Sequence, residues 1–148
     1  MDYAASQEEA ILTYTKSDMV LAIHSDASYL YESKARSRAV GHWFMAGHEE
    51  IAANKGAVMN VLLIIKAVMS SVAEAELGAL FINCKLAVLA RKTLEELVHL
   101  QPKTPMQTDN SIANDLMNNT IIPKQTKRID MQFHWMRCID TQGQFRFY

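Results

Sequence analysis

Cysteine is nearly absent from this chain. Its two cysteines, Cys84 and Cys138, stand far apart and form no CxxC pair. That excludes a disulfide frame or a zinc cluster and leaves two reduced structural thiols of an intracellular protein. An excess of basic residues is also missing: 15 Lys and Arg face 16 Asp and Glu, for a formal charge of −1. Any nucleic-acid contact must therefore come from a local patch. Residues 1–10, MDYAASQEEA, are polar and lack the apolar core of a secretory leader. The longest apolar run, Val58 to Ile65 with Asn60 inside it, is too short to span a bilayer. Nothing argues for membrane or secretion, and a cytoplasmic location is the expectation. Internal repeats and low-complexity tracts are missing too. What remains is 148 residues, 49% apolar and 21% charged, the profile of one soluble domain large enough to bury a core.

The most informative stretch is Val20-Leu21-Ala22-Ile23-His24-Ser25-Asp26, an apolar run that ends in one carboxylate. A strand apolar on both faces belongs inside a sheet covered on both sides. Its terminal Asp then lies at the carboxyl edge, where open α/β folds place ligands. The local patterns predict a peripheral helix over residues 1–12 and strands over 19–26, 39–45 and 57–65. A polar, basic connection spans 30–38, and Gly41 marks a close backbone approach or a bulge. The longest periodic segment, Ser71 to Leu97, predicts a helix opened by a capping box of Ser71 and Glu74. A strand over 105–109 follows the break at Gln101-Pro102. Asn110 and Ser111 then offer caps for a short helix to about Asn118. A helix over 127–139, with Ile129, Phe133, Met136 and Ile139 on one side, ends at Gly143 before a final strand. Three strands followed by alternating helices and strands predict one mixed sheet with helices on both faces.

Two aspartates, Asp26 and Asp109, end strands. If those strands are parallel neighbours, the two carboxylates meet at one sheet edge, which requires a cation or a shared proton. At 100° per residue Glu76 falls on the apolar side of the long helix with Ala73, Leu80, Cys84, Ala87 and Leu94, while Glu74 falls on the solvated side. An acid on an apolar face needs a partner, and such breaks of pattern concentrate at functional sites. Singly, the aspartates are more often turn or capping residues, and Glu76 is as often a capping acid. Jointly the three point to an acidic metal cluster. Carboxylate ligands suit Mg²⁺ or Mn²⁺. His24 reads as a satisfied core histidine, and Trp43 and Trp135 as core packing.

Four segments carry a recognisable pattern: His24-Ser25-Asp26-Ala27-Ser28-Tyr29, Ser70-Ser71-Val72-Ala73-Glu74-Ala75-Glu76-Leu77, Gln107-Thr108-Asp109-Asn110, and Lys127-Arg128-Ile129-Asp130-Met131-Gln132-Phe133-His134. In order and spacing they resemble the ribonuclease H domain of copia-type retrotransposon polyproteins. The resemblance runs from about residue 18 to the end, with residues 1–17 as the tail of the preceding reverse-transcriptase connection. It implies a ribonuclease-H-like α/β fold, a mixed five-stranded sheet with helices on both faces. It also implies an endonuclease that cuts the RNA strand of RNA–DNA hybrids during reverse transcription, beside the reverse transcriptase domain of the parent polyprotein. The family's acids map onto Asp26, Glu76 and Asp109, which would hold two Mg²⁺ or Mn²⁺ ions about 3.5–4 Å apart.

The family pattern continues to an Asn-x-x-Ala-Asp segment with a fourth metal-binding aspartate, whereas this chain ends at Tyr148. The resemblance therefore implies a C-terminally incomplete domain, one weak metal position and impaired hydrolysis. Asp130 and Asp140 do not fill the gap. For the hybrid, Lys34, Arg36 and Arg38 are candidates to follow phosphates, and Ser28, Asn110 and Ser111 to touch sugar or phosphate. The alternatives are a non-catalytic remnant of a transposable-element polyprotein, another member of the same superfamily such as an integrase or junction resolvase, and a plain α/β interaction domain.

Overall fold

The computed structural model describes residue 9, residues 11–49, 55–109 and 127–148, the first four of this last group by backbone alone. Five strands form one sheet in the order β3-β2-β1-β4-β5. They are β1 (Val20–Glu32), β2 (Arg36–Ala46), β3 (Met59–Ile64), β4 (Thr104–Thr108) and β5 (Phe145–Phe147). β1, β2 and β3 are antiparallel neighbours, while β4 runs parallel to both β1 and β5. Two helices, α1 (Val72–Glu96) and α2 (Lys127–Thr141), complete the described elements. Residues 110–126, where the further short helix is expected, lie outside the described residues, as does most of the helix expected over 1–12. Residues 11–19 contain no helix.

Strand β1 forms because Val20 to Ile23 are apolar at consecutive positions and both faces are covered; all four are buried. Leu21 and Ile23 join the main core with Trp43, Leu77, Leu80, Met106, Phe133, Met136 and Phe145. Ala22 packs on the other side with Phe44 and Ala46. Both described helices lie against the main core, on one face of the sheet.

The hairpin differs from the expected long basic connection. β1 runs to Glu32 and β2 starts at Arg36, so the turn occupies only residues 33–35. Lys34 and Ala35 take left-handed backbone angles (φ 62° and 52°), which let the chain reverse this tightly. The pairing register also slips between Ser28 and Glu32. Arg36 and Arg38 are therefore strand residues.

Helix α1 starts as the capping pattern predicts. The Ser71 hydroxyl accepts from Glu74 N–H (3.1 Å), and the Glu74 carboxylate accepts from Ser70 N–H (2.7 Å) and from the Ser70 hydroxyl. Its first turns carry Ala75, Gly78 and Ala79, small enough for the helix to pack closely on Ala39, Ile65 and Met69. Farther along, buried Arg91 donates to Gln101 O (3.0 Å), Pro102 O (2.5 Å) and Thr104 Oγ1 (2.6 Å), tying the helix to the entry of β4. At the end of α2, Gly143 takes φ +74°, closing the helix before β5.

This topology decides where the site lies. Three antiparallel strands are an odd number, so the chain leaves β3 in the direction in which β1 runs. Helix α1 begins there, runs back across the sheet, and β4 returns parallel to β1. The start of α1 and the end of β4 meet beside Asp26, which does not end its strand as expected: β1 pairs with β2 beyond it and continues to Glu32 in the hairpin.

Candidate metal centre

Three carboxylates converge at that point. Asp26 lies on β1, and Ser25 and Thr108 are register partners across the parallel β1–β4 pair, so Asp109 follows β4 at the level of Asp26. Glu76 comes from the second turn of α1. One carboxylate oxygen from each of the three lies within 4.8 Å of the others. Asp26 and Asp109 are exposed, whereas Glu76 is buried at 4% exposure. The Ala27 N–H donates to both Glu76 Oε1 (3.1 Å) and Asp26 Oδ1 (2.7 Å), so one backbone amide aligns two of the acids.

The electrostatics are unfavourable as they stand. Burial, then the Asp26 carboxylate and, further down, the Asp109 carboxylate push the Glu76 carboxyl up to about 7, against an opposing pull from the Ala27 N–H. No lysine or arginine forms an ion pair with any of the three among the described residues. Glu76 Oε2 is buried and accepts no hydrogen bond from a described residue. An orphaned buried oxygen, two solvent-facing carboxylates and an all-oxygen donor set fit a hard divalent cation such as Mg²⁺ or Mn²⁺.

The candidate hybrid-contacting residues are placed unevenly. Ser28 is half-buried, two residues beyond Asp26, with Arg38 as its register partner. Arg38 is ion-paired with Glu32. The Arg36 Nε–H donates to Ser33 O (3.2 Å), and Lys34 is exposed at the turn. Asn110 and Ser111 lie outside the described residues. His24 is half-buried on the face of β1 opposite the main core, not the satisfied core histidine expected. Its ring meets Phe44 edge-on (5.0 Å between centroids), and its buried Nε2 has no hydrogen-bond partner among the described residues. Burial, with His42 nearby, lowers its pKa. Trp43 is buried in the core and Trp135 packs edge-on against Phe81, as expected.

The sequence reading passed over Asn83. It is fully buried on α1, seven residues after Glu76 and so on the same side of the helix. Its amide donates to Ser25 Oγ (3.0 Å) and Val40 O (2.9 Å), and its Oδ1 accepts from the Trp43 indole N–H (3.1 Å). The signal that exposed Glu76, a polar side chain on an apolar helical face, is equally present at Asn83. Gly41 is required by this cluster: a Cβ there would sit 2.1 Å from Asn83 Oδ1 and 2.7 Å from Trp43 Nε1. The close approach expected at Gly41 is thus explained.

The fold is that of ribonuclease H. LC11-RNase H1, isolated from compost, superposes with a TM-score of 0.60 at 12% identity, over 88% of this chain and 83% of that one. The N-terminal RNase H domain of Rv2228c from Mycobacterium tuberculosis gives 0.59 at 10% identity, over 88% and 82%. LC11-RNase H1 in complex with an RNA/DNA hybrid gives 0.59 at 11% identity, over 86% and 83%. No protein-family model matches the chain. In sequence, the chain is 28% identical over 126 residues, 85% of its length, to the retrovirus-related Pol polyprotein from transposon TNT 1-94 of Nicotiana tabacum. That span is 9% of the polyprotein's length. These findings bear out the resemblance to the ribonuclease H domain of a retrotransposon polyprotein. No helix of the described residues is long and apolar enough to cross a membrane.

Proposed function

We propose that this chain is a metal-dependent endonuclease that hydrolyses the RNA strand of RNA–DNA hybrids, with Asp26, Glu76 and Asp109 as the ligands of Mg²⁺ or Mn²⁺. The observation that carries this reading is the convergence of the three carboxylates within 4.8 Å where β4 ends beside the middle of β1. The ribonuclease H fold supports it, as does the hybrid complex of LC11-RNase H1. Bound cations at such a site supply a more acidic water and neutralise charge on the phosphodiester. The chain's own part is to hold the ligands. The Ala27 N–H aligns Asp26 and Glu76, and burial excludes water from Glu76, leaving its Oε2 free for a cation. Asp26 and Asp109 face solvent, where a phosphate backbone can approach.

The hybrid would be recognised through its backbone and the 2′-hydroxyls of its RNA strand. Ser28 lies close enough along β1 to reach sugar or phosphate beside the acids. Lys34 and Arg36 present positive charge at the hairpin end, and Arg38 contributes less while Glu32 neutralises it. Asn110 and Ser111, which follow Asp109 in the sequence, remain proposed contacts to sugar or phosphate.

The test is cleavage of an RNA–DNA hybrid, with an RNA duplex as control, in Mg²⁺, Mn²⁺ or EDTA. Divalent-dependent cleavage of the hybrid alone is expected, and Asp26→Asn should abolish it. Cleavage that persists in EDTA, or full turnover by Asp26→Asn, would overturn the reading. Divalent binding without turnover would favour the non-catalytic remnant.

A further inference from the structure

We propose that Asn83 is a positioning residue for the acidic cluster, acting through Ser25 to hold helix α1 at the depth where Glu76 and Asp26 can share a cation. The inference rests on the metal-dependent reading above and extends it to residues that touch neither cation nor hybrid.

The geometry carries it. Asn83 is wholly buried and joins three points of the sheet with one amide group. Ser25 is the chain neighbour of Asp26, and Val40 is the register partner of Asp26 on β2. Trp43, the third point, lies farther along β2 and anchors the amide from the other side. Two bonds thus tie α1 directly beside Asp26, on its own strand and on the strand next to it. Seven residues separate Asn83 from Glu76, roughly 10 Å along the helix at 1.5 Å per residue. Between them Leu77 and Leu80 pack into the main core, while Gly78 and Ala79 let the helix lie close to Ala39, Ile65 and Met69. Apolar packing sets the general spacing, and polar ties fix the position of the segment on the sheet at its two ends. At one end Ala27 N–H meets Glu76, and at the other Asn83 meets Ser25 and Val40.

A purely structural amide would also be buried and bonded, so the test separates the two roles. Three variants of the full chain are followed by thermal shift during titration with MnCl₂: Ser25→Ala, Asn83→Leu and Trp43→Phe. Ser25→Ala removes only the tie beside Asp26 and leaves Asn83 bonded to Val40 and Trp43, so it decides the question even if Asn83→Leu fails to fold. Trp43→Phe removes only the indole bond. Loss of an outer-shell partner at a metal site typically costs 10–100-fold in affinity. The half-saturating Mn²⁺ concentration is expected to rise about tenfold for Ser25→Ala and Asn83→Leu. Trp43→Phe should lower the melting temperature without moving it. In the hybrid assay at fixed Mn²⁺, Ser25→Ala should lower kcat and leave KM unchanged. Half-saturation unchanged in Ser25→Ala, or raised equally by Trp43→Phe, would overturn the positioning role while leaving the metal reading intact. If the unsubstituted chain gives no Mn²⁺ response, the metal reading falls, and this inference with it.

Discussion

Replacing Glu76 by glutamine isolates the electrostatic strain of the site. The unfolded chain protonates this carboxyl at about its ordinary 4.5, whereas in the fold burial and the neighbouring acids push it up to about 7. Between those values the folded chain binds more protons than the unfolded chain, so its stability falls as pH rises. The stabilising contribution is complete below the unfolded value and gone above the folded one. A difference of this size corresponds to about 3 kcal/mol, lost at no more than about 1.4 kcal/mol per pH unit. The substituted amide would keep an oxygen to accept from Ala27 N–H and has no charge to desolvate. Metal-free Glu76→Gln should therefore match the parent near pH 4.5 and exceed it by up to about 3 kcal/mol at pH 8. The assay is urea denaturation in EDTA at half-unit steps of pH, read as the difference between the two proteins. His24, whose lowered pKa works in the opposite direction below about 6.5, is present in both and cancels. Mn²⁺ should reverse the order at pH 8, because the cation needs the ionised carboxylate. A difference that stays constant from pH 5 to 8 would refute the account of a desolvated, repelled Glu76.

Other consequences are equally direct. Gly41→Ala would drive a methyl group into Asn83 and Trp43 and should cost about 1–3 kcal/mol in urea denaturation, as overpacked cores do. Arg91→Met would leave Pro102 O, Gln101 O and Thr104 Oγ1 without their shared donor, and about 2–4 kcal/mol of lost stability is expected from the same measurement. Glu32→Gln would release Arg38 from its ion pair. If the hairpin follows phosphates, hybrid affinity should rise at low salt and the gain should vanish at high salt. Unchanged affinity would remove Arg38 from the interface.

Short-range pattern was enough to establish the local facts. The apolar run before Asp26, the Ser71–Glu74 cap, the apolar stripe of α1 with Glu76 in it, the stop at Gly143 and the family resemblance can all be read along the chain, because side-chain periodicity encodes them without knowledge of neighbours. Asn83 is legible by the same periodicity, as a polar residue on the apolar side of α1. Whatever depends on pairing between distant segments had to wait for the folded chain. Whether Asp109 lies beside Asp26 depends on β4 joining β1 in parallel, and no property of either strand alone specifies its neighbour. The tight hairpin that turns Arg36 and Arg38 into strand residues depends on register. So does the pairing of Arg38 with Glu32. The strain on Glu76 arises only when burial and two remote carboxylates act on it together. Local patterning chose the elements, and long-range packing decided which of their charged groups must share space.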